Sequence, residues 1–136
     1  KPKIFKDILN QFYSKDITSI EKILITFNKI KTIDNNDFLD YLNLIKISTK
    51  DLYLLKSNID NKTISFSFLR DYYKTTLELF PMANWKGIIA LIDDTIINIS
   101  KNVNISLEIY SLMINVRSCL QGKRVDRFHQ QIANGI

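Results

Sequence analysis

Trp85-Lys86-Gly87-Ile88-Ile89-Ala90-Leu91-Ile92-Asp93-Asp94-Thr95-Ile96-Ile97-Asn98-Ile99 is the stretch whose reading decides the fold. Trp85, Ile88, Ile89, Ile92, Ile96 and Ile99 recur every three or four residues, the spacing of one helical face. Asn84 stands immediately ahead, with a side-chain oxygen able to accept a free first-turn N–H. Apolar residues wrap more than half of this helix, which predicts a central position with neighbours on several sides. Its β-branched content lowers intrinsic helix propensity, so packing must hold it. Lys86, Asp93 and Asp94 need solvent or partners. The run is interrupted by Asp93, Asp94 and Asn98 and is far too short to cross a bilayer, so no membrane span is expected.

Working outward toward the C-terminus, Asn102 to Ser106 reads as a turn, with Asn104 or Ser106 as cap. The next helix is expected to bury Leu107, Ile109 or Tyr110, Met113, Val116 and Leu120, and Gly122 is placed to end it. A short last helix fits Arg124 to Ala133. Toward the N-terminus, Pro81 stops a helix carrying Phe68, Leu69, Tyr72, Tyr73, Leu77 and Phe80. Ile64 to Phe68 alternates like a strand, but one strand has nothing to pair with, so it reads as a helix entry. Ser48-Thr49-Lys50-Asp51 has the form of a capping box opening a short helix with Leu52, Leu54 and Leu55. Phe38, Leu39, Leu42 and Ile45 stripe a helix over residues 35–46, capped by Asp34 or Asn35. Thr18 to Glu21 is a second capping box, ahead of Ile20, Ile23, Leu24 and Phe27. Ile4, Phe5, Ile8, Leu9 and Phe12 share the inward face of the first helix.

These elements predict an all-α fold: a compact orthogonal bundle of seven or eight short helices around a central hydrophobic helix. Residues 1–136 form one domain with no dividing linker. The chain starts at Lys1 rather than Met, which fits a domain excised from a longer protein. A composition of 46% hydrophobic and 24% charged residues excludes a disordered chain. Tyr41, Tyr53, Leu91 and Met113 exceed what one stripe per helix needs, and serve either a partner surface or further core layers.

Chemistry is sparse. Cys119 is the one cysteine and His129 the one histidine, so neither a disulfide framework nor a zinc knuckle can be built. Cys119 reads as a buried thiol in a reducing, intracellular compartment. Three scattered glycines cannot form a phosphate cradle, and no nucleophile elbow is present. Asp93 and Asp94 point about 100 degrees apart on a helix and do not share a site by adjacency. No catalytic residue, metal or cofactor is expected.

The formal charge of +5 is uneven: residues 1–30 carry six basic and three acidic groups, and residues 101–136 carry five and two. Arg117, Lys123, Arg124 and Arg127, with His129, are the densest basic group and are candidate contacts for phosphate or an acidic partner surface.

Two local resemblances accompany this reading. Arg124 followed five positions later by His129 resembles the Arg-x4-6-His motif of HEPN ribonucleases, with Val125 where many members carry a polar residue. That resemblance implies RNA cleavage across a dimer interface. The segment from Glu78 to Ile92 resembles the part of Bcl-2-like proteins in which an Asn-Trp-Gly-Arg turn caps a central hydrophobic helix, with Lys86-Gly87 replacing the Gly-Arg order. It implies a cap at Asn84, a packing residue at Trp85 and a groove that receives an amphipathic helix. By weight of residues, the expected function is a non-enzymatic helical interaction or scaffold domain that binds a protein or helix or associates with itself. Nucleic-acid binding through the basic ends is the alternative.

Overall fold

The computed structural model describes residues 2–16, 18–33, 35–57, 64–101 and 104–124. Its described helices are α1 (Pro2–Phe12), α2 (Ser19–Ile33), α3 (Asn35–Lys56), α4 (Arg70–Leu79), α5 (Trp85–Ile99) and α6 (Ile105–Leu120), with a 3-10 turn Ser67–Leu69 entering α4. Asn84 caps α5 by accepting the Gly87 N–H at 3.0 Å. Of the residues in α5 only Lys86 and Ile97 are exposed, so the apolar wrap read from the sequence corresponds to a helix enclosed on nearly all sides. It packs against α3 and α6.

The expected seven or eight short helices are six among the described residues, because two of them are one and the last falls beyond residue 124. Residues 35–46 and 48–56 join in α3, 22 residues and about 33 Å long. Ser48 and Thr49 do not open a helix; both are completely buried within one. The Thr49 hydroxyl donates to the Ile45 carbonyl at 2.8 Å, closing the helix back on itself, and also pairs with the Tyr13 phenol. The capping box and a buried Ser-Thr step share one local pattern, and tertiary burial decides between them. The longest helix, α3, meets α1, α2, α4 and α5. The helix expected over Arg124 to Ala133 and the cap at Asp34 lie outside the described residues.

Asp51 has a different task from the one its sequence context suggests. It is 1% exposed, and its carboxylate accepts the Ser65 N–H at 2.8 Å, the Phe66 N–H at 3.0 Å and the Tyr73 hydroxyl at 2.7 Å. A side chain of α3 therefore satisfies the main-chain donors that lead into α4. This explains why the alternating Ile64 to Phe68 segment needs no strand partner. Burial pushes the Tyr73 phenol well above its ordinary value, and Asp51, holding its proton, works in the same direction. Tyr72 ties α4 to α1 by donating to the Leu9 carbonyl at 3.0 Å.

Tyr41, Leu91 and Met113 are buried and Tyr53 packs against the core, so these surplus residues form extra core layers. Phe5, Ile8, Leu9 and Phe12 are buried in α1, with Ile4 turned outward. Cys119 is 2% exposed, and burial pushes its thiol up to about 11.

Candidate interaction surfaces

At one end of the bundle the turn between α4 and α5 is pinned to the C-terminus of α6. Gly122 takes φ +91, a left-handed conformation that favours glycine. It lets the Gly122 N–H reach the Cys119 carbonyl at 2.9 Å and the Lys123 N–H reach the Ser118 carbonyl at 3.1 Å, a Schellman closure of α6. Asn84 adds two bonds from the other side: its main-chain N–H donates to Cys119 O at 2.7 Å, and its amide nitrogen donates to Lys123 O at 3.2 Å. A Cβ on Gly122 would stand 2.7 Å from the Met82 carbonyl oxygen. The cap of α5 and the end of α6 are thus one joint.

Arg117, one turn before that joint, reaches across to α1. Its guanidinium donates to Phe12 O at 2.8 Å and Gln11 O at 3.3 Å, and pairs with the Ser19 hydroxyl at the start of α2. The last carbonyls of α1 lack intrahelical partners, and a cation is the complement of a helix C-terminus. Of the candidate phosphate contacts, Arg117 is therefore turned onto main chain. Lys123 and Arg124 are exposed at the same end. Arg127 and His129, and with them the Arg124–His129 pair, lie outside the described residues.

The joint frames a cleft of about 490 Å³ lined by Ser14, Lys15, Leu79, Phe80, Pro81, Met82, Arg117, Leu120 and Gln121. Phe80 and Leu120 form a buried floor, while Leu79 and Met82 stand on an exposed rim, Met82 at 72% exposure. The Lys15 ammonium sits 5.9 Å from the centre of the Phe80 ring. Trp85 lies behind this end, 2% exposed, its ring edge-on to Tyr13 with centroids 5.5 Å apart. Ile88, Ile92 and Ile99 are buried with it, and Ile89 and Ile96 are half-buried.

A second surface runs along α6. Asn104, not Ser106, is its cap, accepting the Leu107 N–H at 3.1 Å. In that phase Ile109, Leu112, Met113, Val116, Cys119 and Leu120 face inward, and Leu107, expected inside, is 66% exposed. Leu107, Tyr110 and Ile114 fall at i, i+3 and i+7 and form an apolar stripe open to solvent. The Ser106 hydroxyl donates to Asn28 Oδ1 at 3.3 Å, placing α2 beside the start of the stripe. Exposed Ile25 lies three residues before Asn28 on α2.

Sequence reasoning missed both surfaces for different reasons. The stripe had a visible helical spacing, but so did the true inward face, and packing against α5 and α2 decided between them. The cleft brings together residues near 14, 80 and 120, for which no local signal exists. Asp93, left needing a partner, forms an ion pair with Lys46 at 3.0 Å. Among the described residues no three His, Cys, Asp or Glu side chains cluster as metal ligands, and no helix is long and apolar enough to cross a membrane. No protein-family model, curated protein or solved structure matches this chain.

Proposed function

We propose that the chain is a helical protein-interaction domain and that the outer face of α6 is its docking surface. The observation that carries this reading is the exposed Leu107–Tyr110–Ile114 stripe. Three large apolar side chains on one solvent-facing seam provide the complement an amphipathic partner helix requires. The nucleic-acid alternative has less support, since Arg117 spends its donors on α1 and the exposed face of α6 is apolar rather than basic.

The test places a photoreactive benzophenone side chain at position 110 of the protein. Discrete protein adducts, either to a second copy or to another chain, are expected from this position and not from exposed Lys74 on α4. They should disappear when Leu107→Lys and Ile114→Lys are combined, with helical content by circular dichroism retained. Equal labelling from positions 110 and 74, or adducts that persist in the double variant, would refute the α6 surface.

A further inference from the structure

The cleft at the α4–α5 turn differs in character from the α6 stripe. Its floor is apolar, and its lining contains Lys15 and Arg117 and no acidic residue; exposed Lys123 and Arg124 lie two and three residues beyond Gln121, and exposed Glu78 precedes Leu79. The walls are fixed before any partner arrives, because Gly122 closes on Met82 and Asn84 is bonded to both Cys119 and Lys123. The volume lies within the range of about 300–1,000 Å³ common to ligand clefts.

We propose that this cleft takes a short acidic segment of a partner protein, which inserts one apolar side chain against Phe80 and Leu120 while its flanking carboxylates face Lys15, Lys123 and Arg124. The inference rests on the reading of the chain as an interaction domain, and supplies the chemistry of a partner at a second surface. Charge complementarity selects the acidic flanks: a cleft lined by one sign of charge over low-dielectric walls concentrates the opposite sign. The Arg117 guanidinium contributes field rather than contact, since its outer nitrogens are bonded to Phe12 O, Gln11 O and Ser19. Asp16 opposes it: this exposed carboxylate is adjacent to Lys15 and is held by the Thr18 N–H at 3.0 Å. The rim selects the apolar insertion and argues against nucleic acid. Leu79 and Met82 offer aliphatic surface, Met82 in a flexible form suited to induced packing, and the aromatic floor is buried rather than presented for base stacking.

The test measures fluorescence anisotropy of three capped, fluorescein-labelled heptapeptides on the full chain at low salt. One has a central leucine with glutamate flanks, one a central serine with glutamate flanks, and one a central leucine with lysine flanks. The leucine–glutamate peptide should bind about tenfold or more tighter than either control, the factor expected from burying one leucine side chain and from reversing the flanking charge. Lys15→Glu and Met82→Asp should each weaken it by about tenfold. Asp16→Asn, which keeps an acceptor for the Thr18 N–H, should tighten it by about two- to threefold. Equal binding of the serine peptide would reduce the site to surface charge and overturn the proposal. So would equal binding of the lysine-flanked peptide, or complete displacement of the leucine–glutamate peptide by an equimolar single-stranded oligonucleotide. Failure here with the position-110 adducts intact removes the cleft alone; failure of both removes the interaction reading as well.

Discussion

Arg117 and Asp51 show how much of this molecule hangs on single polar side chains with distant partners. Replacing Arg117 with Gln leaves the Phe12 and Gln11 carbonyls without their charged donor and should cost about 1.5–3 kcal/mol in urea unfolding. Lys should recover only part of this, because a point charge cannot span three acceptors as a planar fork does. Asp51→Ala strands two N–H groups and a phenol, each worth about 1–3 kcal/mol when left unmade, so that variant should be largely unfolded. Tyr73→Phe removes one of the three bonds and should be milder, by circular dichroism melting. Gly122→Ala meets both the positive φ and the Met82 carbonyl at 2.7 Å, and should lose about 1–3 kcal/mol. None of these long-range roles was legible in the sequence. Arg117 looks like surface charge because Phe12 is 105 residues away, and Asp51 sits in a capping-box pattern that stays the same whether a helix begins or continues.

At the level of elements, legibility followed locality. The α5 stripe, its Asn84 cap and the Gly122 stop are each written within about four residues, and each corresponds to what the structure holds. Asn84→Ala should destabilise by about 1 kcal/mol for the lost cap. The additional loss of its amide bond to Lys123 should loosen the end of α6, detectable as faster amide exchange at Gly122 and Lys123 than at Ile92. The orientation of α6 was not legible, because Leu107 satisfies the helical period as well as Ile109 does. Packing against α5 and α2, which buries Ile109, Leu112 and Val116, settles which seam faces out. Exposed apolar residues on α6 are therefore the place where the sequence, read locally, hides its candidate docking face inside an apparent core stripe.

The whole molecule buries several phenols and a thiol away from water, which sets its response to alkali. Burial pushes Tyr72 up to about 12 from an ordinary value of 10.0, and Tyr13 and Tyr73 are shifted in the same direction. Where the unfolded chain has released a proton that the native state retains, stability falls with rising pH. Stability should therefore begin to fall near pH 9, where the thiol of the unfolded chain ionises, and decline further as pH rises from 10 through 12, measured as falling urea midpoints, with a shallower decline in Tyr72→Phe. Cys119, pushed up to about 11, should react with an aromatic disulfide reagent at pH 8 only as fast as the protein opens. The bonds from Arg117 to Phe12 and Gln11 carry one further consequence. On the ribosome α1 emerges first, yet its terminal carbonyls wait for a residue made near the end of the described chain. The nascent N-terminal helices cannot reach their finished state while α6 is still being synthesised, so this domain completes its fold only once α6 has left the exit tunnel, and a chain stalled before Arg117 should stay sensitive to protease.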